Sequence, residues 1–318
     1  MNSESTNGDR DVKKRSRRMV EWLSLQLCAV AIACMGTNAA SGDDSVVAPS
    51  AALLAKYGVL RDQLSSNQFQ RPLYLNSSET QAGVRGSIYA LIDHPFATTA
   101  AALNGPARWC DVLMLHLNTK FCRASSNDQG KNLQVNIGKK HDQPLNDSYR
   151  VDFAYRVVAS GPDYLKVALA AEEGPFSTYD YAINLEAIPL DTHRTLVHLE
   201  YSYAYGLVGR LAMQTYLNTL GSAKVGFTIT GKQADGQPVY IGGMRGLVER
   251  NTMRYYLAIE AYLGALSAPP QEKREKSLHH WFAATELYPR QLHELEQNQY
   301  LDMKRKEFAR QRAANGSP

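Results

Sequence analysis

From Tyr149 onward the chain alternates. Tyr149, Val151, Phe153, Tyr155 and Val157 take every second position, with Arg150, Asp152, Ala154 and Arg156 between them. Leu165, Val167 and Leu169 repeat the pattern against Tyr164, Lys166 and Ala168. Tyr179, Tyr181, Ile183 and Leu185 do so against Asp180, Ala182, Asn184 and Glu186. Thr195, Val197, Leu199, Tyr201, Tyr203 and Tyr205 alternate with Arg194, His198, Glu200 and Ser202, and Leu133, Val135 and Ile137 make a shorter earlier member. A period of two puts each set on one face of a pleated strand. The pattern therefore predicts an antiparallel sheet, apolar and tyrosine-rich on one face and wet on the other. Ser160-Gly161-Pro162-Asp163, Glu173-Gly174-Pro175 and Pro189-Leu190-Asp191 supply the turns.

Helical periodicity flanks these strands. A helix is predicted over 49–63 (Ala51, Leu53, Leu54, Tyr57, Leu60), followed by an extended, irregular stretch over 70–79. A first strand spans 84–92; His94-Pro95-Phe96 then opens a short helix ending near Leu103, and Pro106 opens a second, over 106–115. Residues 207–220 read as helix, 225–230 and 237–241 as a hairpin about Asp235-Gly236. Gly242, Gly243 and Gly246 lead into a long helix over 247–266, stopped before Pro269-Pro270. On it Val248, Thr252, Tyr255, Ile259 and Tyr262 share one stripe. From Gln271 the chain is charged, with a helix expected after Pro289 (Leu292, Leu295, Tyr300, Leu301, Phe308).

Residues 84–266 thus supply a strand, two short helices, a run of antiparallel strands and a long closing helix. That order resembles the START-like, or SRPBCC, helix-grip superfamily. The likeness covers somewhat over half of the chain and is one of architecture. It departs from the pattern at 207–243, a helix and hairpin inserted before the closing helix. The resemblance implies an α+β fold in which a curved antiparallel sheet grips a C-terminal helix around a cavity. It also implies binding of lipids, sterols, polyketides or other apolar molecules there; some members are cyclases or hydrolases. The expected organisation is a leader over 1–40, a lead over 41–83, the helix-grip domain over 84–266 and a charged helical tail over 267–318.

Composition narrows this reading. Hydrophobic residues make up 44% of the 318, enough for a substantial core, and the formal charge is +4. Without residues 1–40 the chain keeps 29 basic and 27 acidic side chains, too even a balance for gripping nucleic acid. Residues 1–40 themselves run from basic (Lys13, Lys14, Arg15, Arg17, Arg18) through an apolar stretch, 22–35, to Gly36-Thr37-Asn38-Ala39-Ala40. This is the order of a secretory signal cleaved near Ala39 or Ala40, and the apolar stretch is shorter than the roughly 20 residues of a spanning helix. A membrane anchor and a lipoprotein, from Ala31-Ile32-Ala33-Cys34, are the alternatives. Export, to a periplasm or equivalent space, would let Cys110 and Cys122 form a disulfide; two buried thiols are the other reading.

Candidate chemistry centres on tyrosine. Tyr155, Tyr181, Tyr201 and Tyr203 fall on the inner face of strands and Tyr255 on the closing helix. Buried phenols need hydrogen-bond partners, and a ligand or water in a cavity supplies them; an ordinary core with tyrosines at its rim is the plainer account. Arg245, Arg250 and Arg254 cluster early on the closing helix. Arg254 is the candidate contact for a ligand's anionic group, against the alternative of an exposed charged face with an internal Glu249–Arg pairing. Catalytic motifs are absent: no Gly-x-Ser-x-Gly, no His-Glu-x-x-His and no Cys-x-x-Cys occurs. His116 and His198 are the histidines that could act near a cavity. The leading expectation is carriage of an apolar or lipid-like small molecule, near a membrane, with no cofactor or metal and no identified protein partner. A cyclase or hydrolase using pocket Tyr or His, and an interaction module acting through the tail, are the alternatives.

Overall fold

Pro49 presets φ at the first turn of helix α1 (Pro49–Ser65), which buries Leu53, Leu60 and Leu64. The computed structural model describes residues 48–127, 130–218, 224–314 and 316; the leader expected over 1–40 lies outside them. After α1 come β1 (Leu73–Glu79), β2 (Gly83–Ile92), α2 (Phe96–Leu103), α3 (Pro106–Leu113), β3 (Thr119–Asn127) and β4 (Gly130–Ile137). Then follow β5 (Tyr149–Ser160), β6 (Leu165–Glu173), β7 (Thr178–Pro189) and β8 (Thr195–Tyr205). α4 (Leu207–Asn218) and the hairpin β9 (Ile229–Lys232) with β10 (Pro238–Tyr240) lead to α5 (Gly243–Gly264). The chain continues through α6 (Lys273–Glu286), α7 (Pro289–Leu292) and α8 (Gln297–Ala314).

The first eight strands form one antiparallel sheet in the order β1-β2-β8-β7-β6-β5-β4-β3. Its edge strand β1 corrects the irregular stretch expected over 70–79. Leu73, Leu75 and Ser77 alternate inward, but the third inward residue is polar, which hides the period. Ser77 is buried because its hydroxyl donates to Glu249 of α5 at 2.6 Å.

α5 lies across β1, β2 and β8. The approach is closest at Gly86 of β2, where a Cβ would come within 2.2 Å of Thr252 Oγ1. The single stripe expected on this helix is also corrected. Met244, Val248, Met253, Tyr256, Leu257, Ile259 and Leu263 are buried around its circumference, because α6 and α7 pack on it in addition to the sheet. Trp281 of α6 donates its Nε1 hydrogen to the Arg254 carbonyl at 3.1 Å, and Tyr300 of α8 donates to the Leu115 carbonyl at 2.8 Å. Helices α6, α7 and α8 therefore contribute to the main core rather than forming a charged tail beside it. Cys110 of α3 and Cys122 of β3 are joined in a disulfide with Cα atoms 5.3 Å apart. Among the described residues, no helix is long and apolar enough to cross a membrane.

Candidate binding site between sheet and helix

Four tyrosine rings meet where the inner face of β7 and β8 faces α5. Tyr181 stacks on Tyr203 at 5.2 Å, Tyr201 lies 5.7 Å from Tyr203, and Tyr255 meets Tyr201 edge-on at 5.2 Å. The layer continues from Tyr255 to His116 at 4.9 Å, and Trp281 lies 6.5 Å beyond. Strand periodicity explains Tyr201 and Tyr203: neighbours along β8 would point oppositely, but residues two apart share the face. Sequence reasoning missed Trp281; the helical spacing of Leu278, Trp281 and Thr285, all buried, was the signal for it.

Two polar atoms in this layer are buried with no hydrogen-bond partner among the described residues. One is the Tyr203 hydroxyl, the other His116 Nε2. His116 Nδ1 accepts the Asn118 N–H at 3.2 Å, so a neutral ring carries its hydrogen on Nε2 and presents a donor there. Burial, then the charges of Arg254, Lys304, Lys140 and Lys120, hold the His116 pKa well below the usual imidazole range. Burial pushes the phenols the other way: Tyr181 up to about 12, and Tyr201, Tyr203 and Tyr255 far above the ordinary value. Every one of these groups is neutral at pH 7 and serves as a hydrogen-bonding or packing group rather than a charged one. Tyr181 shares a hydrogen bond of 2.7 Å with Thr178 Oγ1.

The remaining candidates sit elsewhere. Tyr155 is buried on the same face but at the far side of the sheet, its hydroxyl 3.5 Å from the Leu103 carbonyl. Tyr149 and Tyr179, expected inward, are 41% and 39% exposed. Tyr149 begins its strand, and the register shift after Tyr179, with Asp180 at φ 50°, turns Tyr179 outward. Arg254 is only 1% exposed and is neither a surface charge nor a member of the tyrosine layer: it pairs with Glu294 at 2.9 Å. Lys140 and Lys224 meet the same carboxylate. Arg250 donates to the Val225 carbonyl at 3.1 Å, and Arg245 to Ser77 Oγ at 3.0 Å. His198 belongs to the outer face of the sheet, bonded to Ser87 and Glu186, and so is not a group of the interior.

A shallow hollow of about 350 Å³ lies outside this layer, lined by Arg71, Glu260, Ala261, His280, Ala284 and Leu287. No group of three or more His, Cys, Asp or Glu side chains among the described residues could hold a metal ion.

No protein-family model and no curated sequence matches the chain. Several solved structures are similar to it. A START superfamily protein from Mycobacterium smegmatis is 13% identical, with 44% of this chain and 92% of that one covered and a TM-score of 0.29. Norcoclaurine synthase from Thalictrum flavum, in complex with dopamine and hydroxybenzaldehyde, is 9% identical, covering 47% and 81% at a TM-score of 0.30. A conserved protein from Geobacillus kaustophilus is 13% identical, covering 57% and 95% at 0.30. Identities and scores this low leave the assignment to the molecule's own topology. With β2, two short helices, β3 to β8 in antiparallel order and α5 laid across the sheet, the chain has the α+β helix-grip arrangement that its element order implies.

Proposed function

We propose that the chain binds an apolar or amphipathic small molecule between its sheet and α5, in an exported compartment. The observation that carries this reading is the pair of partnerless donors, Tyr203 Oη and His116 Nε2, in one buried aromatic layer. A buried donor without an acceptor costs on the order of 1–3 kcal/mol. A phenylalanine at 203 would avoid that cost, so the hydroxyl is better explained by a ligand's polar group than by packing. The neighbouring rings offer the apolar contact. Access is proposed at the Tyr181–Tyr203 end, where α4 contacts α5 and β8 and where Phe176, Leu207, Val208 and Leu211 are exposed. Such an apolar rim suits a lipid-like ligand handed over near a membrane. The basic-then-apolar leader and the Cys110–Cys122 disulfide support export.

Native mass spectrometry of the purified chain, alone and with a panel of fatty alcohols, fatty acids and single-ring phenols, tests the proposal. A one-to-one complex is expected, with a raised melting temperature. Tyr203→Phe should weaken that complex roughly tenfold while making the free protein more stable by about 1 kcal/mol. A protein that carries nothing and is unmoved by the whole panel would sink the reading.

A further inference from the structure

The outer face of the sheet holds a second constellation, unrelated to the tyrosine layer. Antiparallel register sets His198 of β8 directly between Tyr89 of β2 and Glu186 of β7. Ser87, two residues before Tyr89 on the same face, reaches it diagonally. His198 Nε2 lies 2.9 Å from Ser87 Oγ, and Nδ1 lies 3.0 Å from Glu186 Oε2. A carboxylate only accepts, so Nδ1 carries the hydrogen and Nε2 is left to accept from the Ser87 hydroxyl. Nucleophile, base and orienting acid are thus bonded in series, the order that activates a serine.

The surroundings hold that order in place. Tyr89 stacks on the imidazole at 4.1 Å with an interplanar angle of 6°, which fixes the ring plane. Glu186 accepts from the Tyr164 hydroxyl and pairs with Lys166 at 3.4 Å. Its hydrogen bond with His198 leads the causes that draw the carboxyl down to about 2, so it is an anion at neutral pH. Ser87 and His198 are half-buried, not sealed. α1 packs on the same face, with Lys56 5.8 Å from the Tyr89 ring. Glu200, directly across from Ser87, is paired with Arg85 at 3.5 Å.

We propose that Ser87, His198 and Glu186 form a serine acyl-transfer site on the outer face, hydrolysing small activated carboxylic esters. Ser87 Oγ bonds to the acyl carbon as its proton passes to His198 Nε2. The bond from the acyl carbon to the leaving oxygen then breaks, and the alcohol departs with that proton. Water next gives a proton to His198 and its oxygen to the acyl carbon; the bond from Ser87 Oγ to the acyl carbon then breaks, the proton passes from His198 to Ser87 Oγ, and the carboxylic acid leaves. β2 is paired on both sides, so its backbone N–H groups are engaged in the ladder. Stabilisation of the oxyanion falls to the Arg85 side chain, two residues along the same face, which has to turn from its pairing with Glu200 to reach it. One exposed cation replaces a pair of fixed backbone donors there, so slow turnover is expected and aryl esters are the substrates of choice.

The test is a fluorophosphonate probe applied to the full chain, with peptide mapping, beside hydrolysis of p-nitrophenyl acetate. Phosphonylation of Ser87 is expected, and Ser87→Ala should abolish both labelling and the enzymatic part of the hydrolysis. His198→Gln should slow labelling about 100-fold, whereas a purely structural network would change the melting temperature and leave the chemistry alone. Because probe mapping is done on the unaltered protein, it decides the matter even if a variant misfolds. An unlabelled Ser87, or hydrolysis by Ser87→Ala at the unaltered rate, overturns the proposal. Neither outcome bears on ligand binding at the opposite face.

Discussion

Three buried charges, Lys120, Lys304 and Glu307, tie α8 to the start of β3. Both ammonium groups donate to the one carboxylate, Lys120 at 3.0 Å and Lys304 at 2.7 Å. Backbone carbonyls of Leu117, His141, His116 and Thr119 take their other hydrogens. Replacing Glu307 by Gln would leave two buried cations without an anion, and about 3–5 kcal/mol of stability should be lost in urea denaturation at pH 7. The same residues set a pH dependence. Burial lowers Lys304 from 10.5 to about 8, so between those values the unfolded chain binds a proton that the folded one does not. Stability should therefore rise as pH goes from 8 towards 10, and Lys140, also drawn down to about 8 by burial and Arg254, adds to the rise. The buried phenols act oppositely, since their raised values mean that the unfolded chain loses those protons first above pH 10. These opposing contributions meet near pH 10, and Lys304→Met should flatten the climb between pH 8 and 10; an unchanged slope in that variant would contradict this. At this scale the sequence was partly legible. Period-two alternation found Tyr181, Tyr201 and Tyr203, but nothing local to Arg254 reveals that its carboxylate is forty residues on, at Glu294.

The contact between α5 and β2 is decided by one missing side chain. Gly86 shares its row with Tyr201, and the helix comes so close that a Cβ would overlap Thr252 Oγ1 at 2.2 Å. Gly86→Ala should force the helix outward and cost about 1–3 kcal/mol. Gly86→Ala with Thr252→Ala should recover most of that, because removing the hydroxyl removes the overlap; a double variant no better than the single one would refute the account. Element by element, the sequence showed the later strands and the helix order well, since a wet face and a dry face alternate through them. β1 escaped because its inward Ser77 is polar and is explained only by Glu249, far along the chain. The Ser87–His198–Glu186 cluster escaped for a related reason. Its members lie on three strands, and only the pairing register brings them together.

For the whole molecule, the sharpest question is whether α6 to α8 can be removed. Charge-rich segments such as 271–318 read as tails because charge dominates local composition, yet Leu278, Trp281, Tyr300, Leu301, Met303 and Phe308 are all core residues. Deleting 271–318 would expose the covered side of α5 and strip the Tyr300 and Lys304 donors from the carbonyls of Leu115 and Thr119. Each unpaired buried group costs on the order of 1–3 kcal/mol, and the lost apolar burial adds several more. That total rivals the 5–15 kcal/mol by which domains of this kind are stable. The shortened chain should therefore lose its near-ultraviolet circular dichroism and its cooperative melt, and with them any ligand binding. Replacing Cys110 and Cys122 with alanine is the measured contrast. The bridge closes a short loop, so its loss should cost only about 3 kcal/mol and leave one cooperative, lower transition. If 1–270 instead melts cooperatively, the sheet and α5 alone make the domain. Lys304 and Trp281 would then belong to an appendage rather than to the core that the grip depends on.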